Sequence, residues 1–186
     1  KAQTLKVAPW TDQSSEMGPV ISKEHKEKIV NYIDMGEKEG AKLILDGRNI
    51  KIQGYENGYF VGPTLFDNVN KNMTIYKEEI FGPVLSVVRS KNYEEAIKLV
   101  NDHEFGNGTS LYTSDGEIAR HFTTNSKIGM VGINVPIPVP MAFHSFGGWK
   151  QSLFGGHSMH GMEGIHFYTK LKTITSRWPK SIQEGP

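Results

Sequence analysis

The feature that most restricts the fold is a regular alternation starting at residue 84. Val84 to Val88 is a β-branched apolar run, Tyr93 to Asn101 reads as an amphipathic helix, and Thr109 to Thr113 is strand-like. Gly116 to Asn125 is helical again, and Met130 to Val135 returns to a strand. Strands separated by single short helices require right-handed crossovers and parallel pairing, so the expected fold is α/β, a parallel βαβαβ sheet with helices on both faces. In such sheets ligands collect at the carboxyl ends of strands, here the loops after Val88, Thr113 and Val135.

The flanking segments are less regular. The opening stretch is polar, carries Pro9 and Pro19, and has no period long enough for an element. Ser22 can cap a helix running to about Glu39, with Ile29, Tyr32 and Ile33 on its buried face and Gly40 as its stop. AKLILDG reads as a short strand. Between Arg48 and Val69 comes a hairpin-like passage with a turn at Glu56-Asn57-Gly58, in which Pro63 marks an edge or a connection. After Val135, Pro136, Pro138 and Pro140 alternate with apolar residues, which suits an ordered loop and neither a helix nor a central strand. The tail IHFYTKLKTITSRW alternates as a strand would, and a terminal strand of this kind suits pairing with a partner subunit.

Composition removes several classes of function. With 186 residues the chain can bury one real core, and 21 Lys plus Arg against 20 Asp plus Glu give no electrostatic reason to expect nucleic acid or an anionic membrane. No apolar run approaches the roughly 18 residues of a membrane span and no targeting segment is recognisable, so a cytoplasmic protein is expected, with the mitochondrial matrix as the alternative. There is no cysteine, which excludes disulfides, thiolate metal sites and a cysteine nucleophile from this chain. His157, His160 and His166 lie close in sequence but match no HExxH pattern and have no evident paired carboxylate, so no metal site is expected. Ser145, Ser152 and Ser158 sit in no GxSxG elbow, and neither GxGxxG nor GxxxxGK[ST] is present to cradle phosphates.

The stretch YKEEIFGPVLSVV, residues 76 to 88, admits two readings. In one, Glu78 and Glu79 end a short helix in solvent while Ile80 and Phe81 enter the core. In the other, an ionised carboxylate, acceptor-only with two oxygens, suits a vicinal diol such as a ribose, and Phe81 offers its face to a flat ring. Gly82 would let backbone approach closely and Pro83 would fix the turn into the strand. Asn134, at the carboxyl end of a strand, is either a site amide or a turn residue. Phe146-Gly-Gly-Trp-Lys150 is a tight loop presenting rings to a pocket or to a core.

Taken together, KEEIFGPVLSVV, the βαβαβ block, GINV and SFGGWKQS resemble the C-terminal part of the aldehyde dehydrogenase superfamily. The resemblance runs from GPVIS through EGAKLILDG and GYFVGPTLFDNV to YTKLKTIT. VPIPVP and GIHFYTKLKTITSRW further resemble its CoA-acylating branch, which acts on methylmalonate and malonate semialdehyde. Departures occur at Gly155-Gly156 and His160-Gly161, where that pattern has Gly-Asp and Tyr-Gly. The resemblance implies that Glu79 meets the nicotinamide-ribose hydroxyls of NAD, that Phe81 packs near the nicotinamide, and that Asn134 and Phe146 stand beside the aldehyde funnel. It implies NAD as cofactor, CoA as co-substrate, a small semialdehyde substrate, and a homodimer or homotetramer of the full-length enzyme. Residues 1–143 would be the C-terminal part of the catalytic domain and 144–186 an active-site loop and oligomerisation tail, with the cofactor-binding domain and the nucleophilic cysteine elsewhere. The chain alone is then expected to be a fragment without activity. The competing expectations are a related dehydrogenase releasing free acid and a non-catalytic α/β interaction module.

Overall fold

A computed structural model of the chain describes residues 1–178. It contains two compact units, Lys1–Leu99 and the part from Val100 onward.

In the first unit, helix α1 (Lys23–Lys38) starts where the Ser22 side chain accepts a hydrogen bond from the His25 amide. It ends at Glu39, followed by Gly40 at φ +92. Its apolar stripe places Ile29, Tyr32 and Ile33 inside, as the spacing predicts. They pack against a three-stranded sheet of β1 (Lys42–Leu45), β2 (Thr64–Val69) and β3 (Val84–Val88), in the order β1-β2-β3. The first pair is antiparallel and the second parallel. Phe66, Val61 and Ile80 complete the core, each large apolar side chain contributing about 1.5–3 kcal/mol through burial.

The passage between β1 and β2 is not a hairpin. Residues 46–63 form successive turns, and the connection is closed by the Gly62 amide donating to the Gly47 carbonyl at 2.8 Å. β2 is the central strand, and Pro63 sits just before it, where the missing N–H breaks no ladder bond. Arg48 locks this connection to α1: its guanidinium lies 2.5 Å from Asp34, 2.7 Å from Glu37 and 2.6 Å from Asp46. Hydrogen bonding to Asp46, and then to the other two carboxylates, raises the Arg48 pKa, and the same contact lowers that of Asp46. A short helix α2 (Thr74–Lys77) leads into the acidic turn.

Helix α3 (Tyr93–Asp102) runs across the division. In the second unit, β4 (Phe105–Gly106) pairs antiparallel with β7 (Trp149–Lys150). β5 (Gly108–Leu111) pairs in parallel with β6 (Met130–Ile133), with Gly108 opposite Met130 and Leu111 opposite Ile133. Helix α4 (Gly116–Asn125) makes the crossover, begun by Asp115, whose carboxylate accepts from the Glu117 and Ile118 amides. The chain is therefore α/β with parallel strands, but β3 pairs with β2 and β5 with β6, so the expected βαβαβ run is divided between two ladders.

The tail departs from expectation. Ile165 to Tyr168 belong to helix α5 (Gly161–Tyr168), and residues 169–178 join no ladder among the described residues. Alternation sets which faces are apolar, but a strand exists only where its amides and carbonyls find a partner. Leu171, Ile174 and Trp178 are exposed. Residues 179–186 of the 144–186 tail division lie outside the described residues. No described helix is long and apolar enough to cross a membrane.

Candidate cofactor and substrate site

The acidic turn is built from its buried neighbours outward. Ile80 is buried in the core of the first unit, which anchors the turn in its middle. Gly82 lies against Ile29 of α1 so closely that a Cβ there would come within 2.5 Å of the isoleucine side chain. Pro83 feeds β3, its carbonyl accepting the Thr64 amide at 2.8 Å. Between these anchors Phe81 adopts φ +58 and is 77% exposed. Only Ile80 enters the core; the left-handed turn at Phe81 sends its ring outward. Glu78 and Glu79 are exposed, and the Glu79 carboxylate has no hydrogen bond or ion pair among the described residues. A free carboxylate and an outward aromatic face thus share one turn.

The first unit has hollows of about 340 Å³ beside Trp10, Tyr55 and Phe60 and about 510 Å³ along Lys23, Lys26 and Glu56, and neither lining includes Glu79 or Phe81.

The two candidates in the second unit stand in different loops. Asn134, just past β6, has φ +58, and both ends of its amide are used: Oδ1 accepts the Thr113 amide at 2.9 Å and Nδ2 donates to the Thr113 carbonyl at 3.0 Å. It ties together the ends of β5 and β6. Phe146 is half-buried and lies flat on His160, ring centroids 4.3 Å apart and planes 4° from parallel. The glycine pair after it is a packing device, since a Cβ on Gly147 would come within 2.8 Å of the Ser158 hydroxyl oxygen and one on Gly148 within 2.6 Å of the Ser152 Cβ.

Lys150 and His25 were not visible as important from spacing alone. The Lys150 ammonium donates to the carbonyls of Val100, Asn101 and His103 at 3.1, 3.0 and 2.9 Å, closing the carboxyl end of α3. Burial, with help from the nearby Lys127 charge, lowers its pKa. His25 places Nε2 2.7 Å from the Phe81 carbonyl oxygen. Among the described residues no group of three acidic, histidine or cysteine side chains is arranged to hold a metal. His157 and His166 instead flank Glu163 at 3.1 and 3.7 Å, a carboxylate partner the spacing did not reveal; the hydrogen bond from His157 lowers the Glu163 pKa.

Comparison with known proteins bears on the whole chain. A malonate-semialdehyde dehydrogenase of Pseudomonas aeruginosa is 53% identical over 178 residues, covering 96% of this chain and 36% of the relative. The acylating, mitochondrial methylmalonate-semialdehyde/malonate-semialdehyde dehydrogenase of Bos taurus is 51% identical, covering 96% of this chain and 33% of its own length. A protein of Sinorhizobium meliloti, crystallised with NAD and assigned to the methylmalonate-semialdehyde dehydrogenases, superposes with a TM-score of 0.95 at 57% identity, over 98% of this chain and 37% of that one. The chain thus spans about a third of the length of the relatives it matches. The model of the aldehyde dehydrogenase family matches residues 1–174, and on that match, with the fold and identities above, the chain belongs to the aldehyde dehydrogenase family.

Proposed function

We propose that this chain supplies the cofactor-facing edge, and part of the substrate funnel, of an NAD-dependent semialdehyde dehydrogenase that passes its acyl product to CoA. The observation that carries the reading is the juxtaposition of an unpaired, exposed Glu79 carboxylate with an outward Phe81 ring on one anchored turn. The carboxylate has the acceptor oxygens a ribose diol needs, and the ring has the flat face a nicotinamide needs. The cofactor, when bound, accepts the hydride; the chain's own residues bind and orient it. The similarity to a protein crystallised with NAD supports the cofactor, and the relatives' names support methylmalonate and malonate semialdehydes as substrates. CoA rests on the word acylating in the bovine relative's name.

This chain has no thiol, so the nucleophile belongs to other parts of the complete enzyme. Residues 1–143 act here as catalytic-domain scaffold and residues 144–186 as active-site loop and oligomer contact, the full enzyme being a homodimer or homotetramer. Asn134 and Phe146 form one side of the funnel, Asn134 through the loop it fixes more than through a free amide.

The test is Glu79→Gln in the complete enzyme. Losing a charge-assisted hydrogen bond worth about 1.5–3 kcal/mol should raise the KM for NAD about ten- to a hundredfold. An unchanged KM and kcat would return Glu79 to a solvated helix end. Propionyl-CoA should form from methylmalonate semialdehyde only when CoA is present; free acid as the main product with CoA supplied would refute the acylating assignment.

A further inference from the structure

We propose that His25 is a positioning residue for the cofactor edge, holding Phe81 in the left-handed conformation that turns its ring outward; this rests on the reading of Phe81 as a nicotinamide-side residue. His25 and Ile29 lie one turn apart on α1 and so share a face. Together they grip three consecutive residues of the acidic turn. Ile29 packs in the same core as Ile80 and leaves no room for a side chain at Gly82. His25 holds the residue between them: its Nε2 is 2.7 Å from the Phe81 carbonyl oxygen, and its ring meets the Phe81 ring edge-on at 6.5 Å and 68°.

The need for such a hold follows from the backbone. A β-carbon makes φ +58 unfavourable, and the largely exposed Phe81 ring buries little apolar surface to offset it. A donor on its carbonyl opposes rotation of the peptide towards the ordinary extended basin. Bonding to a carbonyl requires hydrogen on Nε2, which the neutral Nε2–H tautomer and the imidazolium both provide. His25 is itself pinned, its amide bonded to the Ser22 hydroxyl at 3.1 Å. The sequence hides the pair because 56 residues separate its members.

The experiment uses the complete enzyme and two readouts. His25→Ala should raise the KM for NAD about three- to tenfold, as expected for one lost hydrogen bond, with the KM for semialdehyde and kcat at saturating NAD unchanged. Hydrogen exchange of the peptide covering residues 80–84, measured without cofactor, should quicken by a similar factor. His25→Gln, which keeps an N–H donor of comparable reach, should restore most of both. Unchanged exchange in His25→Ala would overturn the positioning role, whatever the kinetics. Faster exchange with unchanged NAD kinetics would overturn the cofactor reading of Phe81 and with it the role of His25 in catalysis. Equal loss in NAD and semialdehyde parameters, unrescued by glutamine, would mark a general structural defect and also refute the proposal.

Discussion

The two units use opposite means to stay folded. The first has a continuous apolar core in which Ile29, Ile33, Val61 and Phe66 are essentially removed from solvent. In the second, the buried large apolar residues among those described are Phe122 and Ile128, while Ile137, Met141, Phe143, Phe154, Phe167 and Leu171 are among those left exposed. Its order comes from side chains bonded to main chain: Asp115 on α4, Lys150 on the end of α3, Asn134 on Thr113, and Asn101, which donates to the Asn125 carbonyl and accepts the Lys127 amide. Burial is non-directional and grows with area, whereas polar clamps are local and each is decisive for one loop. A unit of the second kind keeps precise loops while leaving apolar surface exposed.

The largest expected effect probes the cores directly. Phe66→Ala should cost the first unit about 4 kcal/mol, since its ring is fully enclosed; Phe122→Ala should cost the second about 2–3 kcal/mol, with fewer buried neighbours to leave a cavity. Native-state hydrogen exchange on the complete enzyme separates the two units. Equal costs would erase the contrast.

The same contrast explains what could be read from sequence. Elements held by periodic burial or local capping were legible: α1 between Ser22 and Gly40, β3 and α4 at their full lengths, and the parallel β5-α4-β6 unit. Elements created by distant partners were not. The β4–β7 pair is two residues on each side and joins Phe105 to Lys150, so it leaves no period to detect. Ile165 to Tyr168 alternate like a strand yet close a helix, because four residues cannot distinguish the two periods. In the site, Glu79 was legible as a carboxylate in solvent and an outward Phe81 ring as one of two readings, but the left-handed φ of Phe81 was not, since its close neighbours Ile29 and His25 are more than fifty residues away in sequence. At position 160, where the sequence departs from the tyrosine of the family pattern, the histidine lays a flat ring against Phe146.

Next in size is Lys150. Lys150→Met keeps the stem but strands three carbonyls, with an expected cost of about 1–3 kcal/mol confined to residues 100–106 and no effect on the first unit. Spread of the exchange change into the α1 core would show that the units are not separately stabilised.

Arg48 gives the first unit a polar clamp of its own, and with it a pH dependence. Arg48→Gln leaves Asp34, Glu37 and Asp46 facing one another and should cost about 1–2 kcal/mol near neutrality. Asp46 is held below its ordinary value of 3.8 in the fold, so at acid pH the unfolded chain binds more protons there. The stabilisation is therefore present above about pH 4 and lost as pH falls through the lower folded value. The gap between wild type and variant should narrow in that window and stay constant from pH 6 to 8. A gap that widens or holds constant on acidification would refute pairing with ionised carboxylates as the source of the clamp.

The smallest effect decides whether Asn134 is scaffold or site. Its backbone sits at φ +58, which asparagine tolerates better than most residues, and its amide is spent on Thr113 at both ends. Asn134→Gly keeps the backbone conformation and removes the bonds, for an expected loss of about 0.5–1.5 kcal/mol. Asn134→Ala removes the bonds and adds left-handed strain of about 1 kcal/mol. If the residue acts only by holding its loop, semialdehyde KM should rise in the order glycine then alanine, following local exchange at residues 111–135. If its amide meets the substrate, both variants should lose the same factor in kcat/KM whatever their stability, because both lack the same donor and acceptor. The pairing of that amide with Thr113 favours the graded outcome, in which the clamps of the second unit are the means by which it shapes a site.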